Sequence, residues 1–392
     1  MKVKSILIQF LILLLVFVGC RTPNPTNKQE TRATWISYID YTQMLWGKNE
    51  SDYSKNVDEI INNLKSMKLN TIYIHASAFT DAYYPSQYYP SAQYITGKIG
   101  DSFPFDPFKI FVDKAKAAGF KIEAWINPLR SFTKEQMNSV PNTYLIKQWA
   151  ENKSRNLIFH HDRYYLNPAY QEVHDLILDV VQELISNYDI DGIHMDDYFY
   201  PDHVNSSFDA IDFELLNPNM KLEDWRRSNI TSLVQSLSTV IKKTDKNCNF
   251  SISPAGNIQY TTETIFGDVK TWIQEGLIDT IIPQIYFGYY HETLPYDLCL
   301  KEWETLVSQT KVKLVVGLAA YKINAEDPYA NSGRDEWKLD HDILARQIEQ
   351  ARKATNYSGF SLFSYHSIMY PNPEDSLPVS KQLESVTKLL EN

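Results

Sequence analysis

Eight short apolar runs, each followed by a segment of helical period, set the tightest limit on how this chain can fold. They are ATWISYI (33–39), NTIYIHA (70–76), KIEAWIN (121–127), DGIHMDD (191–197), FSISPAG (250–256), DTIIPQIYF (279–287), KLVVGLAAY (313–321) and FSLFSYH (360–366). Segments such as VDEIINNLKSMK (57–68), FKIFVDKAKAAG (108–119) and VHDLILDVVQELISNY (173–188) separate them, with apolar residues at i, i+3, i+4 and i+7. Eightfold strand–helix alternation predicts an α/β fold, a single (β/α)8 barrel over residues 31–392. A doubly wound open sheet would offer a Gly-rich phosphate turn after its first strand, and none follows residues 33–39. No linker-like stretch marks a second domain. In a barrel the chemistry sits where strands end and βα loops begin. The long gaps after the second, third and fourth runs predict the loops that wall the cleft.

The first thirty residues stand apart from this pattern. Lys2 and Lys4 precede an apolar run from Ile6 to Val18, broken only by Gln9 and followed by Gly19-Cys20. The run is shorter than the roughly 20 residues a spanning helix needs. Residues 1–19 therefore read as a secretory signal peptide. Cleavage before Cys20 would leave that cysteine at the new N-terminus, open to lipidation, as in the bacterial lipoprotein signals this segment resembles. Phe17 stands where such signals usually carry Leu. Residues 20–30, polar and Pro-containing, read as a tether from the lipid. The expected location is the bacterial cell envelope, with the membrane as partner through the N-terminal lipid. Only Cys248 and Cys299 remain beyond Cys20, too few for a disulfide scaffold, and they are expected as free buried thiols.

Charge narrows the partners. With 38 Lys and Arg against 48 Asp and Glu the formal net charge is −10, and no long basic run occurs, so nucleic acid is excluded as a natural partner. Aromatic content points elsewhere. Tyr supplies 26 residues, beside 18 Phe and 8 Trp. These rings cluster in YYPSQYYP (83–90), HHDRYY (160–165), DDYFYP (196–201) and IYFGYYH (285–291). Three of these clusters follow predicted strands directly, which places them on the expected active-site rim, where a ring with a phenol can stack on a sugar and hydrogen-bond it too.

The fourth run carries the densest chemistry. Alternation along a strand puts His194 and Asp196 on the lumen face and Ile193 and Met195 toward the helices. Asp197 and Tyr198 follow at the mouth. Repulsion between neighbouring carboxylates raises the pKa of one, which suits an acid protonated near neutral pH. Asp196 is the expected nucleophile or base and Asp197 its partner or the acid. Asp81, Glu263 and Glu292 stand in reserve for a second carboxylate. Other strand ends offer Trp125, Asn127 and Arg130, Asn257, Gln284 and Tyr286, and Tyr321 and Lys322, polar groups that can grip sugar hydroxyls. With Asp81, His194 and Tyr198 these make up the expected substrate contacts. His194 reads equally as a satisfied core histidine. Asp191 reads as a turn cap without chemistry. The chitinase pattern DGxDxDxE ends in Glu, whereas Tyr198 stands there in this chain, so that substrate-assisted mechanism is not expected.

Several stretches together resemble the glycosyl hydrolase-like family 10, also called DUF187. They are YDIDGIHMDDYFYP, YLNPAYQEV, DWRRSN, SPAGN, IPQIYF, GLAAYK, AWINPLR and DAYYPSQYYPSAQYITGKIG followed by FDPF. The resemblance runs from about Thr31 to Tyr370. It implies a TIM-barrel glycoside hydrolase, often attached to the envelope, with some members cutting peptidoglycan strands that lack stem peptides. Asp196, Asp197, Asn127, Arg130 and Gln284 fall on the family's motif positions. Departures exist: Ser77 replaces an Arg after strand two, Glu123 a His, and Phe287 a Trp. Loss of the Arg at 77 removes a cation suited to an acidic sugar group. The expectation is thus an exported lipoprotein glycosidase that needs no cofactor and no metal. Two alternatives stay open: a glycan-binding protein without catalysis, and a metal-dependent barrel hydrolase or deacetylase using His75, His194 and Asp196.

Overall fold

A computed structural model describes residues 29–216 and 219–391. The signal peptide, Cys20 and most of the tether lie outside the described residues. The eight apolar runs form eight parallel strands: β1 (Thr31–Ile36), β2 (Thr71–Ser77), β3 (Lys121–Ile126), β4 (Gly192–Met195), β5 (Asn249–Ile252), β6 (Thr280–Ile281), β7 (Lys313–Leu318) and β8 (Tyr357–Leu362). They close in chain order into a barrel, with β1 paired to both β2 and β8. The expected fold class is the observed one.

Most strands coincide with their runs because a parallel strand buried on both faces is a continuous apolar stretch. The sixth differs. Its run covers nine residues, yet the ladder holds only Thr280 and Ile281. Pro283 has no N–H to donate, and the chain continues through isolated bridges from Gln284 to Ala255 and Gly317. Gly256 is required beside it, since a Cβ there would lie 2.4 Å from the Gln284 carbonyl oxygen. In the β2–β3 pairing, the register shifts between His75 and Ser77. Such irregularities re-aim side chains at barrel rims.

Alternation divides the apolar residues into two shells. Ile193 and Met195 join the large outer core between strands and helices. There Gln171–Asn187 buries Val173, Leu176, Ile177, Val180 and Leu184 on one stripe. Inside the barrel a smaller cluster gathers Ala33, Trp35, Tyr73, Trp125, Ile282 and Val315. Polar groups complete that interior. Asn249 and Ser251 donate to Glu123 at 2.9 and 2.5 Å, and Ser251 Oγ lies 2.7 Å from His194 Nδ1. Trp35 Nε1–H donates to His194 Nε2 at 3.0 Å. Trp35 can only donate, so Nε2 is the acceptor and the ring proton sits on Nδ1. Burial keeps His194 neutral by lowering its pKa to about 3.

Both poles of the barrel are fastened. At the N-terminal pole Glu30, assigned to the tether by its sequence, pairs with Arg32 and Arg352 and accepts from the Tyr357 hydroxyl. Nearby, Asp191 accepts from the Ile122 amide and pairs with Lys116, so it caps the base of β4 as expected. At the opposite pole the β3 loop carries a three-stranded antiparallel sheet of Arg130–Thr133, Leu157–His160 and Arg163–Leu166. The β4 loop is clamped by a buried ion pair between Arg226 and Asp209, with the guanidinium 5.6 and 5.0 Å from the Tyr200 and Phe266 ring centres.

Candidate active site

Asp196 and Asp197 follow β4 directly, so the strand carries them to the C-terminal mouth. Asp196 is buried, and its two oxygens are each met by a donor: Trp125 Nε1–H on Oδ2 and the Tyr198 amide on Oδ1, both at 3.1 Å. Burial, and then the charge of Asp197, hold its pKa well above the usual carboxylate range. Asp197 is more open. Burial raises it to about 6 against its own amide, Gln284 and Arg130, which favour the charged form. Two carboxyls so placed keep a proton between them near neutral pH. Both carboxyls have donors that favour the ionised form, so the proton belongs to the pair rather than to one residue, and Asp197 is the member that faces the cavity.

The surrounding wall is rich in unspent polarity. His75 stacks on Trp125 with ring centres 3.4 Å apart, and its Nδ1 accepts the Tyr38 amide at 3.1 Å. Its ring also reaches Asn127, and among the described residues the buried Ser77 Oγ and Tyr286 OH at neighbouring strand ends have no partner. Buried polar atoms are rarely left alone, and two hydroxyls on one rim mark a place where a polar ligand completes them. Gln284 donates to the Ser253 carbonyl at 2.8 Å and also reaches Asp197.

Aromatic rings flank the carboxylates on two sides. Beside Asp197 lies a cavity of about 350 Å³ lined by Arg130, Tyr165, Tyr198, Asp202 and Tyr260 among others. On the other side Tyr286 packs 5.6 Å from Tyr321 and 5.7 Å from Phe363, between ring centres. A larger groove of about 880 Å³ runs past Tyr290, Glu336 and Asp340 beside the helix Ser376–Glu391, and neither carboxylate lines it.

The expected contacts thus fall into two groups. Trp125, Arg130, Tyr198, Gln284 and Tyr286 gather around Asp196 and Asp197, with Tyr321 packed on Tyr286 and Asn127 beside His75. The remainder are engaged elsewhere. Asn257 caps the helix Ile258–Glu263, accepting from the Tyr260 amide. Lys322 pairs with buried Asp327 at 2.6 Å. Asp81 is buried, with Oδ1 accepting the Ala78 and Phe79 amides, and burial raises its pKa to about 6. His194 is enclosed, with Nδ1 on Ser251 and Nε2 met by Trp35 and Ser253, so its core reading is the one its partners support. That commitment also removes it from the metal alternative. Among the described residues, no group of three or more His, Cys, Asp or Glu side chains is placed to hold an ion. Glu263 and Glu292 are exposed.

One correction concerns the tyrosines. Tyr83, Tyr84 and Tyr89, expected near the rim, are buried, and Tyr84 donates to Glu183 beneath the β2 loop. Much of the surplus fills the core. Conversely, Tyr38, Asp202 and Tyr260 reach the mouth without being singled out by the sequence, and Arg163 and Tyr165 bring part of the HHDRYY cluster there. Asp202 lies within DDYFYPD, where proximity to Asp197 was its only signal.

A closed parallel barrel with paired carboxylates at its C-terminal mouth, set between aromatic walls, defines a protein of the glycoside hydrolase-like class. The model of the Glycosyl hydrolase-like 10 family matches residues 30–333, and the chain belongs to that family. The resemblance seen in the sequence is therefore the correct one. Among similar curated proteins, glycosyl hydrolase YngK of Bacillus subtilis is 28% identical over 86% of this chain and 69% of its own. Glycosyl hydrolase DigH of Escherichia coli is 27% identical over 81% of this chain and 76% of its own. Of solved structures, the PgaB (BpsB) glycoside hydrolase domain of Bordetella bronchiseptica superposes with a TM-score of 0.58. It covers 90% of this chain and 99% of its own at 14% identity, a likeness of fold alone.

Proposed function

We propose that this protein is an exported, lipid-anchored glycoside hydrolase that cuts cell-envelope glycan strands of the peptidoglycan type by carboxylate acid–base chemistry. The observation that carries the reading is the Asp196–Asp197 pair, set between two aromatic walls with one carboxyl held ready to donate. Asp196, fixed by Trp125 and the Tyr198 amide, attacks the anomeric carbon or activates the water that does. Asp197 gives its proton to the departing glycosidic oxygen. Tyr198 and Tyr286 offer rings to neighbouring sugars, and Asn127 and Gln284 offer hydrogen bonds to their substituents. The segment Met1–Cys20 supports export and lipid attachment.

The test is incubation with stem-free and intact peptidoglycan, followed by mass analysis of what is released. Fragments from stem-free strands are expected, and their loss in Asp196→Asn with strand binding kept excludes a role in binding alone. No fragments from either substrate, with another polysaccharide cut, would overturn the envelope assignment. A protein that retains radiolabelled palmitate only when Cys20 is present supports the lipid, and equal labelling of Cys20→Ala refutes it.

A further inference from the structure

Arg130 has an unusual setting for a guanidinium this close to two carboxylates. Its central carbon lies 4.7 Å from the centre of the Phe79 ring and 4.6 Å from that of Tyr198. A second guanidinium, Arg163, lies 5.1 Å from the same Phe79 ring. The antiparallel pairing that sets Thr133 opposite Arg163 and Arg130 opposite Tyr165 brings the two cations together. Arg163 spends one nitrogen on the Ser131 carbonyl at 2.5 Å. Among the described residues neither arginine forms an ion pair, and Arg130 forms no hydrogen bond.

The platform beneath them is rigid. Phe79 is buried, and its amide is held by Asp81. Thr80 adopts a left-handed conformation at φ 57° and meets Ser131 Oγ at 2.6 Å, tying the β2 loop to the strand that carries Arg130. Burial and the neighbouring Arg130 pull the Arg163 pKa below its usual value. Two like charges crowded on one ring cost free energy that an anion would recover. A flat fork of N–H donors matches a carboxylate in particular. A chain of net charge −10 repels acidic polymers at long range, so an acidic substrate needs such a local cation pair.

We propose that Arg130 and Arg163, seated on Phe79, form a receptor for one sugar-borne carboxylate, so that the substrate is an acidic glycan. This rests on the glycosidase reading. The carboxylate belongs either to an ether-linked acid on the ring or to a uronic acid.

Calorimetric titration of Asp196→Asn, with and without Arg163→Gln, tests it, using stem-free peptidoglycan strands, the same strands after carboxyl reduction, and oligogalacturonate. Reduction is expected to weaken binding to Asp196→Asn by about tenfold or more and to leave the double variant unaffected. Arg163→Lys in place of Arg163→Gln restores part of the loss. Carboxylate-dependent binding of oligogalacturonate instead of the strands identifies a uronic acid and keeps the receptor. Equal affinity for native and reduced strands with no binding of oligogalacturonate overturns it, as does an equal loss on every ligand in Arg163→Gln. Absence of turnover in the wild type, with carboxylate-dependent binding retained, overturns the hydrolase reading alone.

Discussion

The barrel interior contains two buried polar regions built on the same strands, and they differ in whether they are finished. In the inner column, Glu123, Asn249, Ser251 and His194 satisfy one another and Trp35. At the mouth, a few residues further along, Ser77 at the end of β2 and Tyr286 after β6 each keep a buried hydroxyl without a partner among the described residues. Burial raises a carboxyl pKa in both, with Glu123 at about 7 and Asp197 at about 6. A perturbed pKa alone therefore does not mark a catalytic group. What separates them is the surroundings: Asn249 and Ser251 occupy both oxygens of Glu123, although a cavity of about 320 Å³ lies beside it at the N-terminal pole, whereas Asp197 opens onto the aromatic walls of the mouth. A closed network stabilises the fold, and an open one is completed by a ligand.

The contrast breaks most readily at Asp196. Replacement by Asn is expected to lower kcat on glycan strands by on the order of 10³-fold or more with the melting temperature nearly unchanged. A large fall in melting temperature with activity retained would place Asp196 among the structural groups. Glu123→Ala should do the reverse. Stranding Asn249 and Ser251 costs about 2–4 kcal/mol in denaturant unfolding, while the folded fraction keeps its rate constant.

Titration sharpens the same distinction. Folding raises the Glu123 pKa from its ordinary 4.5 to about 7, so the folded state holds this proton more tightly. Its stabilising contribution is complete below pH 4.5 and is lost as the pH rises through 7. Unfolding measured across that window should show a slope that Glu123→Gln flattens. Activity follows Asp197 instead. As the proton donor it works below its pKa, so kcat/KM should decline as the pH rises through about 6. That limb should be unmoved by Glu123→Gln.

The smallest effect comes from a matched pair of serines. Ser251→Ala removes the group between His194 and Glu123 and should cost about 1–3 kcal/mol. Ser77→Ala removes a hydroxyl with no partner and should fall within about 0.5 kcal/mol of wild type in the same urea titration. Equal costs would erase the distinction.

The eight strands were legible because burial on both faces leaves an unbroken apolar signature, and strict alternation aimed His194 and Asp196 inward. What alternation cannot convey is depth. His194 lies two residues before Asp196, yet its partners Trp35, Ser251 and Ser253 come from β1 and β5 and its immediate continuation, invisible to a local pattern. The β3-loop sheet was hidden for another reason. His161 and Asp162 make its turn with φ of 44° and 64°, without the Asn-Gly signature that such turns favour. Arg163 follows directly, so the cation pair was missed with the sheet. Tyr83 and Tyr84 misled because a phenol near a strand end looks alike whether it lies on the rim or beneath a loop.

The Glu30 clamp also fixes a direction. It fastens the chain at the N-terminal pole through Arg32, Arg352 and Tyr357, and the carboxylates open at the other. Anything that holds the protein by the residues before Gln29 holds it by its closed end. An anchor there would point the mouth outward, a barrel's length beyond the attachment point, and a polymer held away from the anchoring surface would meet it first.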